Sequence, residues 1–66
     1  MMNDYGIIVK SILDKHGWRF LRHGKGSHDM WIGPDNKKAV SVPKGIKSRH
    51  TANAVLRRAG LNERIR

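Results

Sequence analysis

Apolar side chains recur at Tyr5, Ile8, Val9, Ile12 and Leu13, the i, i+3, i+4, i+7, i+8 spacing that gives a helix one apolar stripe. Asn3 or Asp4 can cap its start and Gly17 stands where it should end. The period then changes to two. From Trp18 to His23, simple alternation sends Trp18, Phe20 and Arg22 one way and Arg19, Leu21 and His23 the other, as in a strand. Gly24-Lys25-Gly26-Ser27 can turn tightly, and His28 to Ile32 reads as a returning strand. Gly33-Pro34-Asp35-Asn36 is a second turn, Ala39 to Val42 a third strand, and Pro43 closes it. A second helix is predicted from Ser48 as cap, with Ala52, Val55, Leu56 and Ala59 on one face and Gly60 as the stop. The order is α-β-β-β-α. Hairpin connections make the sheet antiparallel, and two amphipathic helices covering one of its faces give an α+β fold.

Composition narrows what such a fold is for. The 66 residues show no repeat, low-complexity stretch or linker, so they are read as one domain over 1–66. Without cysteine, there is neither a disulfide framework nor a thiolate metal site. The apolar residues near the N-terminus are interrupted by Lys10, Ser11 and Asp14, which argues against a signal peptide or membrane span and for a cytoplasmic protein. Fourteen Lys and Arg against five Asp and Glu give a net charge of +9 and a pI near 11.0. A field of that density attracts polyanions and releases their counterions on contact, so nucleic acid leads over an anionic membrane or an acidic protein.

Particular residues then carry a family likeness. Gly17-Trp18 follows an amphipathic helix; Gly24-Lys25-Gly26-Ser27-His28 follows the first strand; Trp31, Val40-Ser41-Val42-Pro43 and the stretch from Ile46 to Leu56 complete the set, with Ala59-Gly60-Leu61 at its end. From about Ile7 to Leu61 the chain resembles the HicA family. The resemblance implies a fold like that of double-stranded-RNA-binding domains, ribonuclease activity against messenger RNA, and neutralisation by a HicB antitoxin. It also implies that the histidine of Gly26-Ser27-His28 is catalytic. The duplicated Met1-Met2 start and the polar tail after Leu61 fall outside the part of the likeness that matters.

Histidine suits this chemistry because its ordinary pKa of roughly 6.5 keeps both protonation states populated near neutrality. A metal-independent ribonuclease needs a base for the RNA 2′-hydroxyl and an acid for the departing 5′-oxygen. His28 can serve one role. Lys25 can stabilise charge on the phosphate, and amides of the turn through Gly26 and Ser27 can form an anion-binding concavity. His23 lies five residues earlier across the turn, and its approach to His28 depends on a register that the sequence leaves open. The second proton carrier is therefore unassigned.

The other residues read more plainly. Taken alone, His28 would be a surface turn histidine. His16 beside a helix end is structural, and His50 is solvated or touches phosphate. No pair of histidines has zinc-helix spacing, so neither a metal nor another cofactor is called for. Trp18, Phe20 and Trp31 read first as core and second as a stacking platform for bases. Among the basic residues, Arg22, Lys47 and Arg49 are the RNA-binding candidates that accompany Lys25. The competing assignment is a non-catalytic RNA-binding module of the same fold, which would have no use for a histidine at the first hairpin. A DNA-binding regulator fits worst, because three strands separate the two helices.

Overall fold

The computed structural model describes residues 4–66. The side chain of Asp4 accepts from Gly6 N–H at 2.8 Å, starting helix α1 at Tyr5–Lys15; Asn3, the alternative cap, lies outside the described residues. Helix α2 spans Arg49–Arg58 and is capped by Ser48, whose hydroxyl accepts from the amides of His50 and Thr51. Both helices close in the same way. Gly17 and Gly60 carry positive φ, and the amides of Trp18 and Leu61 reach back to the carbonyls of Leu13 and Leu56, the paired bonds of a Schellman stop. Trp18 is thereby drawn out of the strand that the alternation predicts, and β1 begins one residue later, at Arg19–His23.

Strands β2 (His28–Ile32) and β3 (Ala39–Pro43) complete an antiparallel sheet in the order β1-β2-β3. Pro43 is the last residue of β3 rather than a stop beyond it, which an edge strand tolerates because its outer amides need no partner. Between β2 and β3 the pairing is regular, from His28 opposite Pro43 to Ile32 opposite Ala39. Between β1 and β2 it slips. Phe20 faces Trp31, but Arg22 faces Met30 and His23 faces Asp29, so Leu21 is a bulge with no partner. His23 consequently shares a face with Phe20, not with Arg19 and Leu21 as strict alternation predicts.

The register also shows which face is covered. Val40 and Val42 stand opposite Trp31 and Asp29, and both valines are buried with Val9 and Leu13 of α1, Ile46, and Val55 and Leu56 of α2. Both helices therefore pack on that face. Strand β1 remains outside the cover, with every residue exposed. Its Arg19, Arg22 and His23 suit an edge that must not pair with another chain. The three aromatics divide accordingly. Trp18 is 4% exposed and Trp31 packs against the core, whereas Phe20 is 49% exposed and is not a core side chain. It meets the Trp31 ring edge-on, with centroids 6.3 Å apart.

The tail contributes more than its polar composition suggests. Asn53 on α2 holds Ile65 by a two-way amide pair, Nδ2 donating to the carbonyl at 3.0 Å and Oδ1 accepting from the amide at 2.7 Å. Ile65 packs on the core. Glu63 accepts from His16 Nε2 at 3.0 Å and from Lys15 at 3.5 Å, tying the tail to the end of α1. His16, the C-cap of that helix, is thus a structural residue.

Candidate active site

The turn between β1 and β2 is held from both sides. Gly24 N–H donates to the His28 carbonyl at 2.7 Å, and Lys44 N–H, in the loop after β3, donates to the Ser27 carbonyl at 2.8 Å. That loop is itself docked on α1, where Tyr5 N–H donates to the Ile46 carbonyl at 2.8 Å. Within the turn Gly26 has φ +65°. A Cβ there would meet nothing within 4 Å, so glycine is required by backbone conformation and not by space. The local sequence thus fixes the main chain of Gly26-Ser27-His28 while leaving room above it.

Alternation from a fixed start decides where His28 points. Asp29 and Trp31 face the helices, since Asp29 reaches Lys10 of α1 and Trp31 packs on the core. His28 and Met30 therefore face the uncovered side of the sheet. There, Lys25, Gly26, Ser27, His28, Met30 and Ser41 line a shallow cleft of about 570 Å³. Arg22 stands directly across from Met30 on β1, and Ser41 stands across from it on β3. His28 is exposed, and among the described residues its imidazole has no hydrogen-bond partner. It is free to meet a ligand through either ring nitrogen.

Behind the cleft lies a second cluster. Asp29, 5% exposed, accepts from His23 Nδ1 at 2.9 Å and from Lys10 Nζ at 3.2 Å. An ionised carboxylate can only accept, which places a proton on Nδ1 of His23. The hydrogen bond from His23 chiefly holds the Asp29 carboxyl below its ordinary value of 3.8, against the opposing effect of burial and with help from Lys10 and Lys44. Two partners from different elements close the hairpin onto α1. The bulge at Leu21 is what turns His23 to this side, so His23 and His28 lie on opposite faces of the sheet.

Of the RNA-binding candidates read from the sequence, Lys25, Gly26 and Ser27 line the cleft with His28, and Arg22 adjoins it. Lys47 is exposed but lines neither groove, and Arg49 lines a different one along α2. Met30 and Ser41 join the site only in three dimensions. Period-two spacing from His28 marks Met30, but Ser41 requires the β2–β3 register. Asp29 and its partners leave no sequence signal, because Lys10 and Asp29 are nineteen residues apart.

A basic α-β-β-β-α domain with both helices on one sheet face, and a polar hairpin presented on the other, has the layout of the double-stranded-RNA-binding-domain fold. The family model for the HicA toxin of bacterial toxin–antitoxin systems matches residues 8–61, and the chain belongs to that toxin family. No curated protein and no solved structure matches it. The matched span holds α1 from Ile8 onward, the sheet, the cleft and α2, and ends where the tail begins. No helix among the described residues is long and apolar enough to cross a membrane.

Proposed function

We propose that the protein is an endoribonuclease toxin that cuts messenger RNA without a metal, using His28, and that a HicB-type antitoxin silences it. The observation that carries this reading is His28 itself: it opens β2 on the uncovered sheet face, pinned through its backbone and free at its imidazole. His28 takes the proton of the RNA 2′-hydroxyl as the 2′-oxygen attacks phosphorus. The bond to the 5′-oxygen breaks, and that oxygen takes a proton from water admitted by the open cleft. Lys25 offsets the charge that builds on the non-bridging oxygens, and Arg22 holds the neighbouring phosphate. A well-placed general base contributes on the order of 10²–10⁴ in rate.

Lys25, Ser27 and Ser41 are the polar side chains beside His28, and His23 is not among them. An antitoxin that competes with RNA for a protein of net charge +9 is expected to present an acidic face. The test is incubation of purified protein and its His28→Ala variant with long single-stranded RNA in excess EDTA, followed by analysis of the product ends. Cleavage by the unmodified protein alone, leaving 2′,3′-cyclic phosphate, supports the reading. RNA binding by both proteins with cleavage by neither replaces it with a binding module.

A further inference from the structure

Away from the His28 cleft, the tail and α2 enclose a groove of about 900 Å³. Arg49, His50, Arg57 and Arg58 border it from α2, and Arg64 and Arg66 border it from the tail. All six are exposed. The one acidic residue on its border, Glu63, is already engaged by His16 and Lys15. Gathering like charges from two segments around one concavity is unfavourable in itself. The chain nevertheless brings the tail back, through the Asn53–Ile65 amide pair and the packing of half-buried Ile65 against the core. The arrangement is therefore held by specific contacts against its own repulsion, which a bound polyanion would relieve.

We propose that this groove is a second site for RNA, which grips the phosphodiester backbone of a strand whose scissile bond lies at His28. Guanidinium groups recognise phosphate oxygens with two parallel hydrogen bonds, and the groove runs along a ten-residue helix, roughly 15 Å, enough for a few phosphates. It begins at Arg49, on the helix that follows the loop bonded to Ser27. Binding here is indifferent to base identity and favours long RNA over short. Binding of RNA in the groove rests on the reading of RNA as substrate; only the position of the scissile bond rests on the role of His28.

The test measures the binding of a labelled single-stranded RNA of about twenty nucleotides to protein carrying His28→Ala, so that no cleavage intervenes. The paired change Arg57→Gln with Arg64→Gln is expected to weaken binding about tenfold at moderate salt. It should also flatten the log–log salt dependence by roughly 1.4, at about 0.7 for each phosphate of a single strand that is no longer neutralised. Arg57→Lys with Arg64→Lys should recover most of the affinity, and melting curves will show that each variant is folded. Lys37→Gln with Lys38→Gln, on the turn between β2 and β3, should have a smaller effect. Unchanged affinity and slope in the glutamine pair would overturn the proposal, as would an equal loss in the Lys37, Lys38 pair, which would mean that only net charge matters. Loss of polyglutamate binding with RNA binding intact would assign the groove to an acidic protein instead. With His28 restored, the groove variant should raise KM for long RNA, leave kcat alone, and cut a tetranucleotide as well as the unmodified protein does. If the unmodified protein cuts no RNA, the binding experiment still decides the groove.

Discussion

His28 and Asp29 are adjacent in β2, yet one stands on the uncovered face with no side-chain partner among the described residues and the other is buried between His23 and Lys10. The same alternation that aims the first at solvent aims the second at the helices. The contrast separates two uses of a polar residue. The exposed His28 side chain makes no hydrogen bond among the described residues, which leaves its imidazole open to a ligand, whereas Asp29 is consumed by structure and its charge is neutralised from two sides. Replacing each should therefore affect different measurements.

The largest effect is expected from His28→Ala. RNA cleavage should fall by two to four orders of magnitude while the free energy of unfolding stays within about ±0.5 kcal/mol, as is usual for an exposed side chain. A large drop in melting temperature would place His28 with Asp29 among the structural residues. Next comes Trp31, on the helix side. Trp31→Ala should cost about 3 kcal/mol, the low end for a large aromatic because the ring is only partly buried. Trp31→Phe should cost far less, since the buried Nε1 has no hydrogen-bond partner among the described residues to lose. A phenylalanine variant as unstable as the alanine variant would show that the indole N–H is satisfied after all.

Acid should act on stability through the paired carboxylates. The Asp29 carboxyl lies below 3.8 in the folded protein, so its network adds stability that is fully present above that pH and is lost as pH falls through the lowered value. Glu63, held below its ordinary 4.5 chiefly by His16, behaves the same way. Asp29→Asn should lower the melting temperature near neutrality and shrink the further fall on acidification, leaving the share due to Glu63. Parallel curves for the two proteins would exclude Asp29 as an acid-sensitive staple. The smallest effect is expected from deleting Leu21. The pairs Phe20–Trp31, Arg22–Met30 and His23–Asp29 are already consistent without it, so the deletion should leave a regular ladder and a melting temperature near that of the intact chain.

That bulge also marks the limit of what the sequence discloses. Helix positions, caps and stops are legible because they depend on neighbours in the chain: Asp4, Ser48, Gly17 and Gly60 perform the predicted tasks. The three strands and the hairpin carrying Gly26-Ser27-His28 follow from alternation and glycine placement. The facing of His23 does not, since a two-against-one pairing is settled by contacts across the sheet. The exposure of Phe20 is hidden for a related reason, as a residue's burial depends on which strand the helices fail to cover. The role of the tail is hidden because the Asn53 side chain pairs with the backbone groups of Ile65, to which composition is blind. Of the site, the motif residues and Arg22 are legible, whereas Ser41 and the Asp29 cluster belong to the register.

The cleft at His28 is shallow and borders directly on solvent, with its floor made of paired strands and its turn pinned at Gly24 and Ser27. No element among the described residues covers it. On the proposed reading, restraint arrives from another molecule and follows mass action: with an inhibitor free at about a hundred times its dissociation constant, roughly 1% of the sites remain open. The dose response is then expected to be graded in the supply of that inhibitor, and depletion alone should suffice to release the proposed activity.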